Sequence, residues 1–273
     1  MNRSPVPNQR AIIDRRLLAG RIAELVAEHG DKARPHIVQA LKEALDAGRA
    51  ELTRRLCERP SAGHACTRGH AFLIDQLVRV LYDHVTADLY PAPNRSSAER
   101  LAIMAVGGYG RAEMAPHSDV DIAFLTAQRH TPWCEQVIEA MLYLMWDLGL
   151  KVGHSSRTIE DSMRLAREDL TIRTSLLEAR YVWGDEALYD EASRRFWSEV
   201  ARGTERQFVV EKLAERNARH KRMGDSRYVV EPNIKDGKGG LRDLQTLYWI
   251  GKYTHQVRSA KELVDIGLLT KAE

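Results

Sequence analysis

Leu101-Ala-Ile-Met-Ala-Val-Gly-Gly-Tyr-Gly-Arg-Ala-Glu-Met-Ala-Pro-His-Ser-Asp-Val-Asp-Ile-Ala-Phe-Leu125 is the stretch that decides the fold. Leu101 to Val106 is apolar throughout, as in a strand covered on both faces. Gly107, Gly108 and Gly110 interrupt it. A second apolar strand, Val120 to Leu125, opens on Ser118-Asp119-Val120-Asp121. Side chains at i and i+2 of a strand share a face. Asp119 and Asp121 therefore stand side by side, with α-carbons about 6.5 Å apart. Neighbouring carboxylates repel unless a cation sits between them. Mg2+ takes one or two carboxylates together with substrate phosphates, which makes Asp119 and Asp121 the candidate metal ligands.

The glycines supply the other half of a phosphate site. Lacking Cβ atoms, they let the backbone approach a ligand and adopt positive φ. Successive N–H groups in such a turn form an anion-binding nest. A phosphate cradle followed by a metal-binding Asp pair points to nucleotidyl transfer, with metal bridging the triphosphate and neutralising the leaving group. A lone Asp-x-Asp or a lone glycine turn is ordinarily just a solvated turn. The order strand, Gly-Gly, Ser-Asp-x-Asp, strand carries the reading. A dinucleotide fingerprint fails because Gly108-x-Gly110-x-x leads to Glu113, and no Gly-(x)4-Gly-Lys-Ser/Thr occurs.

Gly-Gly-Tyr-Gly-Arg followed by Ser-Asp-Val-Asp resembles the signature of the polymerase-β-type nucleotidyltransferases. The resemblance implies a helix-rich α+β fold: a small mixed sheet with helices, flanked by α-helical N-terminal and C-terminal regions.

Length and composition agree with this class. The 273 residues suffice for one large or two modest domains. A net charge of +3 is too small to argue for a nucleic-acid partner. The 3 cysteines, Cys57, Cys66 and Cys134, have no metal-site spacing and suit a reducing compartment. No apolar run approaches a membrane span, and the N-terminus lacks an apolar signal core, so a cytoplasmic protein is expected.

Helical spacing predicts helices over Arg10 to His29, Arg34 to Glu58 and Thr67 to Leu89. Ile12, Ile13, Leu17, Leu18, Ile22 and Leu25 mark the first, and Ile74, Leu77, Val78, Leu81 and Val85 the third. After the second strand, Thr131-Pro132 begins a helix. Met141, Met145 and Trp146 in it read as core. Gly149 ends it, and Leu150 to Ser155 reads as a third strand. From Thr158 onward helices are expected over Thr158 to Arg167, Leu170 to Tyr181, Asp185 to Arg202 and Thr204 to Met223. The last carries a charged face that is either solvated or lines a triphosphate channel. Residues 1–95 then form a helical prefix, 96–160 the catalytic core and 161–273 a second helical region.

That region holds a second motif, within 228–249: Tyr228-Val-Val-Glu-Pro-Asn-Ile-Lys-Asp-Gly-Lys-Gly-Gly-Leu-Arg-Asp-Leu-Gln-Thr-Leu-Tyr-Trp249. A short strand, Tyr228 to Val230, meets Pro232, and a glycine loop opens a helix near Leu241. Helix starts attract anions because their first N–H groups lack partners. Lys235 and Arg242 add positive charge. From pattern alone the loop is either a phosphate site or a turn with a helix cap.

Glu-Pro-Asn-Ile-Lys-x-Gly-x-Gly-Gly-Leu-Arg-Asp resembles a hallmark of the protein-PII uridylyltransferases. Gly-Gly-Tyr-Gly-Arg-x-Glu-(x)4-Ser-Asp-x-Asp and Gly149-Leu-Lys-Val-Gly-His-Ser-Ser-Arg-Thr158 resemble the same family in the same order. The resemblance implies transfer of UMP from UTP to a tyrosine of the PII nitrogen-signalling protein, with Mg2+ and release of pyrophosphate. It places phosphates on Gly107 and Gly108, Mg2+ on Asp119 and Asp121, and a phosphate contact or turn cap on Ser118. Arg111 and Glu113 would organise the loop, with Arg111 also near the nucleotide. Lys235 and Arg242 would reach phosphates. The superfamily's third carboxylate falls on Glu231 or, second, on Asp243. Family members are longer, with a His-Asp hydrolase domain and paired ACT domains. No histidine here is followed by Asp, so the chain reads as an N-terminal portion, truncated at its end and without uridylyl-removing activity. The alternatives are adenylyl transfer to a protein and an inactive regulatory fragment.

Overall fold

The computed structural model describes residues 6–92, 99–226, 228, 230–257, 260–268 and 270. Its elements run α1 (Gln9–Ile12), α2 (Arg15–His29), α3 (Arg34–Glu58), α4 (Gly63–His84), β1 (Leu101–Ala105), α5 (Gly107–Gly110), β2 (Val120–Thr126), α6 (Pro132–Asp147), β3 (Val152–Thr158), α7 (Ile159–Glu168), α8 (Leu170–Glu178), β4 (Arg180–Gly184), α9 (Glu186–Arg195), α10 (Glu205–Arg222), α11 (Leu241–His255) and α12 (Ala260–Asp265). The chain divides into two compact units. One holds the described residues up to 162 together with 178–192, and the other holds 163–177 and the described residues from 193 on.

The first unit is built on a mixed sheet in the order β3-β2-β1-β4. β1 runs antiparallel to both β2 and β4, while β2 and β3 are parallel. A small mixed sheet among helices matches the expected class. β1 is buried along its whole length, as its unbroken apolar run requires. Leu73, Ile74, Leu77, Val78, Leu81 and Val85, from α4 and the π-turn that continues it, join the same core as Ile103 and Phe124. The β2–β3 crossover is α6, which starts as expected: the Thr131 hydroxyl accepts the Cys134 N–H at 3.2 Å and Pro132 sits in the first turn.

Four local expectations change. The helix expected over Arg10 to His29 is two helices, because the Asp14 carboxylate caps α2 by accepting the N–H groups of Arg16 and Leu17. Leu17 then faces solvent rather than core. Trp146 is 44% exposed and lies edge-on to Tyr143 and His154, so it is a surface aromatic. The helix expected to reach Tyr181 stops at Glu178, and β4 follows as a fourth strand. Tyr228 and Val230 stand exposed and outside any strand, and Val229 lies outside the described residues.

In the second unit α10 and α11 pack together through Phe208, whose ring stacks on Tyr253 at 3.9 Å, and the Tyr253 hydroxyl meets that of Thr204 at 2.7 Å.

Candidate active site

The site in the first unit starts where β1 runs out. The Val106 N–H donates to the Asp121 carbonyl at 3.0 Å, which fixes the end of β1 against the start of β2. Gly107 then turns the chain at φ +58°, a left-handed conformation that glycine adopts without strain. One helical turn, α5, follows. The Gly110 N–H closes it on the Val106 carbonyl at 2.8 Å. Gly107 and Gly108 lie in its opening positions, where backbone N–H groups have no partner within the turn.

Asp121 is half-buried and Asp119 exposed, with Val120 buried between them, as the strand alternation requires. Two glycines make room for Asp121. A Cβ on Gly107 would lie 3.0 Å from its Oδ2, and one on Gly153 only 2.6 Å from its Oδ1. Gly153 is the register partner of Asp121 on β3. The carboxylate thus sits in a cradle that any side chain at either position would fill. Ser118 is half-buried, and its N–H donates to the Ala115 carbonyl at 3.1 Å.

The half-buried Asp121 carboxylate beside a glycine turn, with the exposed Asp119 two residues before it, fits a divalent cation that also takes phosphate oxygens. Among the described residues no cluster of three or more His, Cys, Asp or Glu side chains could enclose a metal by itself.

Arg111 is engaged at both ends. Its Nε donates to Glu113 Oε2 at 2.8 Å and its Nη1 to the buried Glu178 Oε1 at 2.5 Å. Burial pulls the guanidinium pKa down, but Glu178 and Glu113 outweigh it, and the net shift is upward. Tyr109 is fully enclosed, and burial holds its phenol well above the usual range.

The second motif closes on itself. Asn233 Oδ1 accepts the N–H groups of Lys235 and Asp236 at 3.0 and 2.8 Å. The Leu241 and Arg242 N–H groups donate to the Ile234 and Lys235 carbonyls, both at 2.9 Å. The Asp243 N–H donates to Gly240 at 3.0 Å. These first N–H groups of α11 are spent on the loop, so an anion here would meet side chains rather than the helix start. Lys235 is exposed; Arg242 lies over the Trp249 ring at 5.7 Å and 3.7 Å from Asp236.

The two carboxylates considered third differ sharply. Glu231 is exposed. Asp243 is tied to Arg219 at 2.5 Å, to His220 at 2.9 Å and to the Gly239 N–H at 2.8 Å. Burial works against its charge, but these donors win and its pKa is lowered.

Sequence reasoning assigned no role to Gly153, Glu178, Arg180 or Asp75. Gly153 was legible as a glycine inside a strand pattern, which marks a close approach. The other three are brought to the glycine turn by the fold.

Known proteins resemble this chain in sequence. Residues 47–157 match a family described as "Putative nucleotidyltransferase DUF294", and residues 207–273 match "GlnD PII-uridylyltransferase". A bifunctional uridylyltransferase/uridylyl-removing enzyme of Erythrobacter litoralis is 71% identical over 98% of this chain and 29% of its own length. Its counterpart in Novosphingobium aromaticivorans is 68% identical over the same shares, and that of Rhodospirillum rubrum 52% over 96% of this chain and 28% of its own length. The chain thus spans under a third of the length of these relatives and is similar to that portion of them over nearly all of its own length.

Proposed function

We propose that this chain carries the nucleotidyl-transfer site of a PII uridylyltransferase, moving UMP from UTP to a tyrosine hydroxyl of a PII signal protein. The supporting observation is the Asp121 carboxylate, seated between Gly107 and Gly153 beside the glycine turn. No helix among the described residues is long and apolar enough to cross a membrane.

In the reaction the acceptor oxygen attacks the α-phosphorus of UTP. A new O–P bond forms, the bond from the α-phosphorus to the bridging oxygen breaks, and pyrophosphate leaves with that electron pair. Gly107 and Gly108 hold the departing phosphates through backbone N–H groups. Asp119 and Asp121 would hold Mg2+, which when bound would screen phosphate charge and lower the pKa of the acceptor hydroxyl. The proton of that hydroxyl passes to a carboxylate or to water. Ser118 contacts a phosphate or caps the turn that presents Asp119, and Arg111 organises the loop beside the nucleotide. Lys235 and Arg242 are the proposed phosphate cations of the second motif, and Glu231 its proposed carboxylate.

The test is incubation of the purified chain with UTP, Mg2+ and PII, followed by mass spectrometry. A UMP adduct on a PII tyrosine is expected. An adduct formed only from ATP would replace uridylyl by adenylyl transfer. Neither adduct nor nucleotide binding would leave an inactive fragment.

A further inference from the structure

Three contacts from the segment at Glu178 to Arg180 seize the glycine turn. The Glu178 carboxylate holds Arg111. The Glu178 carbonyl lies where a Cβ on Gly110 would approach to 2.5 Å, so the turn is packed directly on that backbone. The Arg180 Nη2 donates to the Tyr109 carbonyl at 3.2 Å, and the guanidinium lies 5.3 Å from the centre of the Tyr109 ring.

Arg180 is itself held from the N-terminal helices. Asp75 of α4 takes it in a two-pronged pair, at 2.8 Å to Nη1 and 3.0 Å to Nη2. Both residues are largely buried. A buried ion pair adds little net stability over an apolar pair of the same shape, whereas it fixes geometry tightly.

The sheet is irregular at the same place. β4 pairs with β1 as Ile103 with Trp183 and then Met104 with Tyr181, so Val182 is an extra residue. This bulge brings Arg180 opposite Ala105, the last residue of β1 before the turn. Bulges re-aim side chains in this way. The bulge is pinned too: Arg79 Nε donates to the Val182 carbonyl at 3.1 Å, and the Trp183 indole N–H donates to Asp83 Oδ1 at 2.6 Å. Asp75, Arg79 and Asp83 are spaced at i, i+4 and i+8, one face of α4.

We infer that Asp75 and Arg180 are positioning residues that set the glycine turn against Asp121, and that α4 serves the site through them. Neither residue needs to touch the nucleotide. The two-pronged pair fixes the Tyr109 carbonyl, which also accepts the Ala112 N–H at 3.0 Å. Through that carbonyl it fixes the opening N–H groups of Gly107 and Gly108. Because the kinetic consequence rests on the uridylyl-transfer reading, the test has one arm that does not depend on it.

Asp75→Asn, Arg180→Lys and Arg180→Gln are compared with the unaltered chain by backbone hydrogen exchange and by transfer kinetics with UTP and PII. Arg180→Lys keeps the charge but loses the planar fork. Exchange is expected to quicken within 107–113 and to stay unchanged across β1 and β2, while kcat/KM for UTP falls at least about tenfold and KM for PII holds. Arg180→Lys is expected to recover less activity than its charge alone would give. Unchanged exchange in the turn overturns the inference, as does unchanged kcat/KM per folded molecule. Loss of fold in all three variants also overturns it, making the pair a folding determinant. If the unaltered chain transfers no UMP, the uridylyl reading falls, and the exchange arm still decides the positioning role of Asp75 and Arg180.

Discussion

Asp121 and Gly153 face each other across the parallel β2–β3 pair, and a Cβ on Gly153 would stand 2.6 Å from Asp121 Oδ1. Gly153→Ala must therefore displace the carboxylate. Alanine suits a strand interior at least as well as glycine, so the fold should hold. A shift of about 1 Å in a catalytic group costs on the order of 10²-fold in rate. The expected result is a transfer rate reduced by about that factor at a nearly unchanged melting temperature. Unchanged transfer would remove Asp121 from the chemistry.

Glu231 and Asp243 separate by what each change costs. Glu231 is exposed, so Glu231→Gln should leave the denaturation midpoint in place and lower transfer if it is the third carboxylate. Asp243→Asn removes the charge and one of the two oxygens that Arg219, His220 and the Gly239 N–H share, and sets an NH2 donor against those donors. It should cost about 1–3 kcal/mol of stability in denaturant titrations. The opposite pattern, a stable Asp243→Asn protein with no transfer, would move the third carboxylate to Asp243.

His70 gives the fold an acid limit. It is buried, and burial pulls its pKa from 6.5 to about 4, with Arg49 and His117 adding to the shift. Below pH 6.5 the unfolded chain takes up a proton that the folded chain refuses until about pH 4. The neutral imidazole's contribution is complete above 6.5 and is lost as pH falls toward 4, a change of roughly 3 kcal/mol. His70→Gln should flatten that part of the stability–pH curve measured by denaturation. An identical slope in the variant would assign the acid sensitivity elsewhere.

The core of the candidate site was legible because it is local. Two apolar runs, three glycines and an Asp-x-Asp alternation lie within Leu101 to Leu125, and strand periodicity alone puts Asp119 and Asp121 on one face. The neighbours that shape the site were not legible. β4 is five residues, Arg180–Gly184, only one of them fully buried, and it continues a helical pattern without an apolar run. Its partner β1 lies far away in sequence, so nothing local announces that Arg180 meets Tyr109 or that Asp75 meets Arg180. The second glycine loop was ambiguous for another reason. Whether its N–H groups are free depends on carbonyls of Ile234 and Lys235 that composition does not reveal. The break before α2 was readable in principle, since Asp14 ahead of an apolar-periodic run is an N-cap signal.

The most direct measurement is transfer of UMP to PII by the unaltered chain, Asp119→Ala and Asp121→Asn, with and without Mg2+, read by intact mass of PII. The account predicts a UMP adduct that needs Mg2+, that is lost in both variants, and that fails although both variants melt as the unaltered chain does. An adduct that persists in Asp121→Asn, or forms equally after chelation of Mg2+, would contradict it.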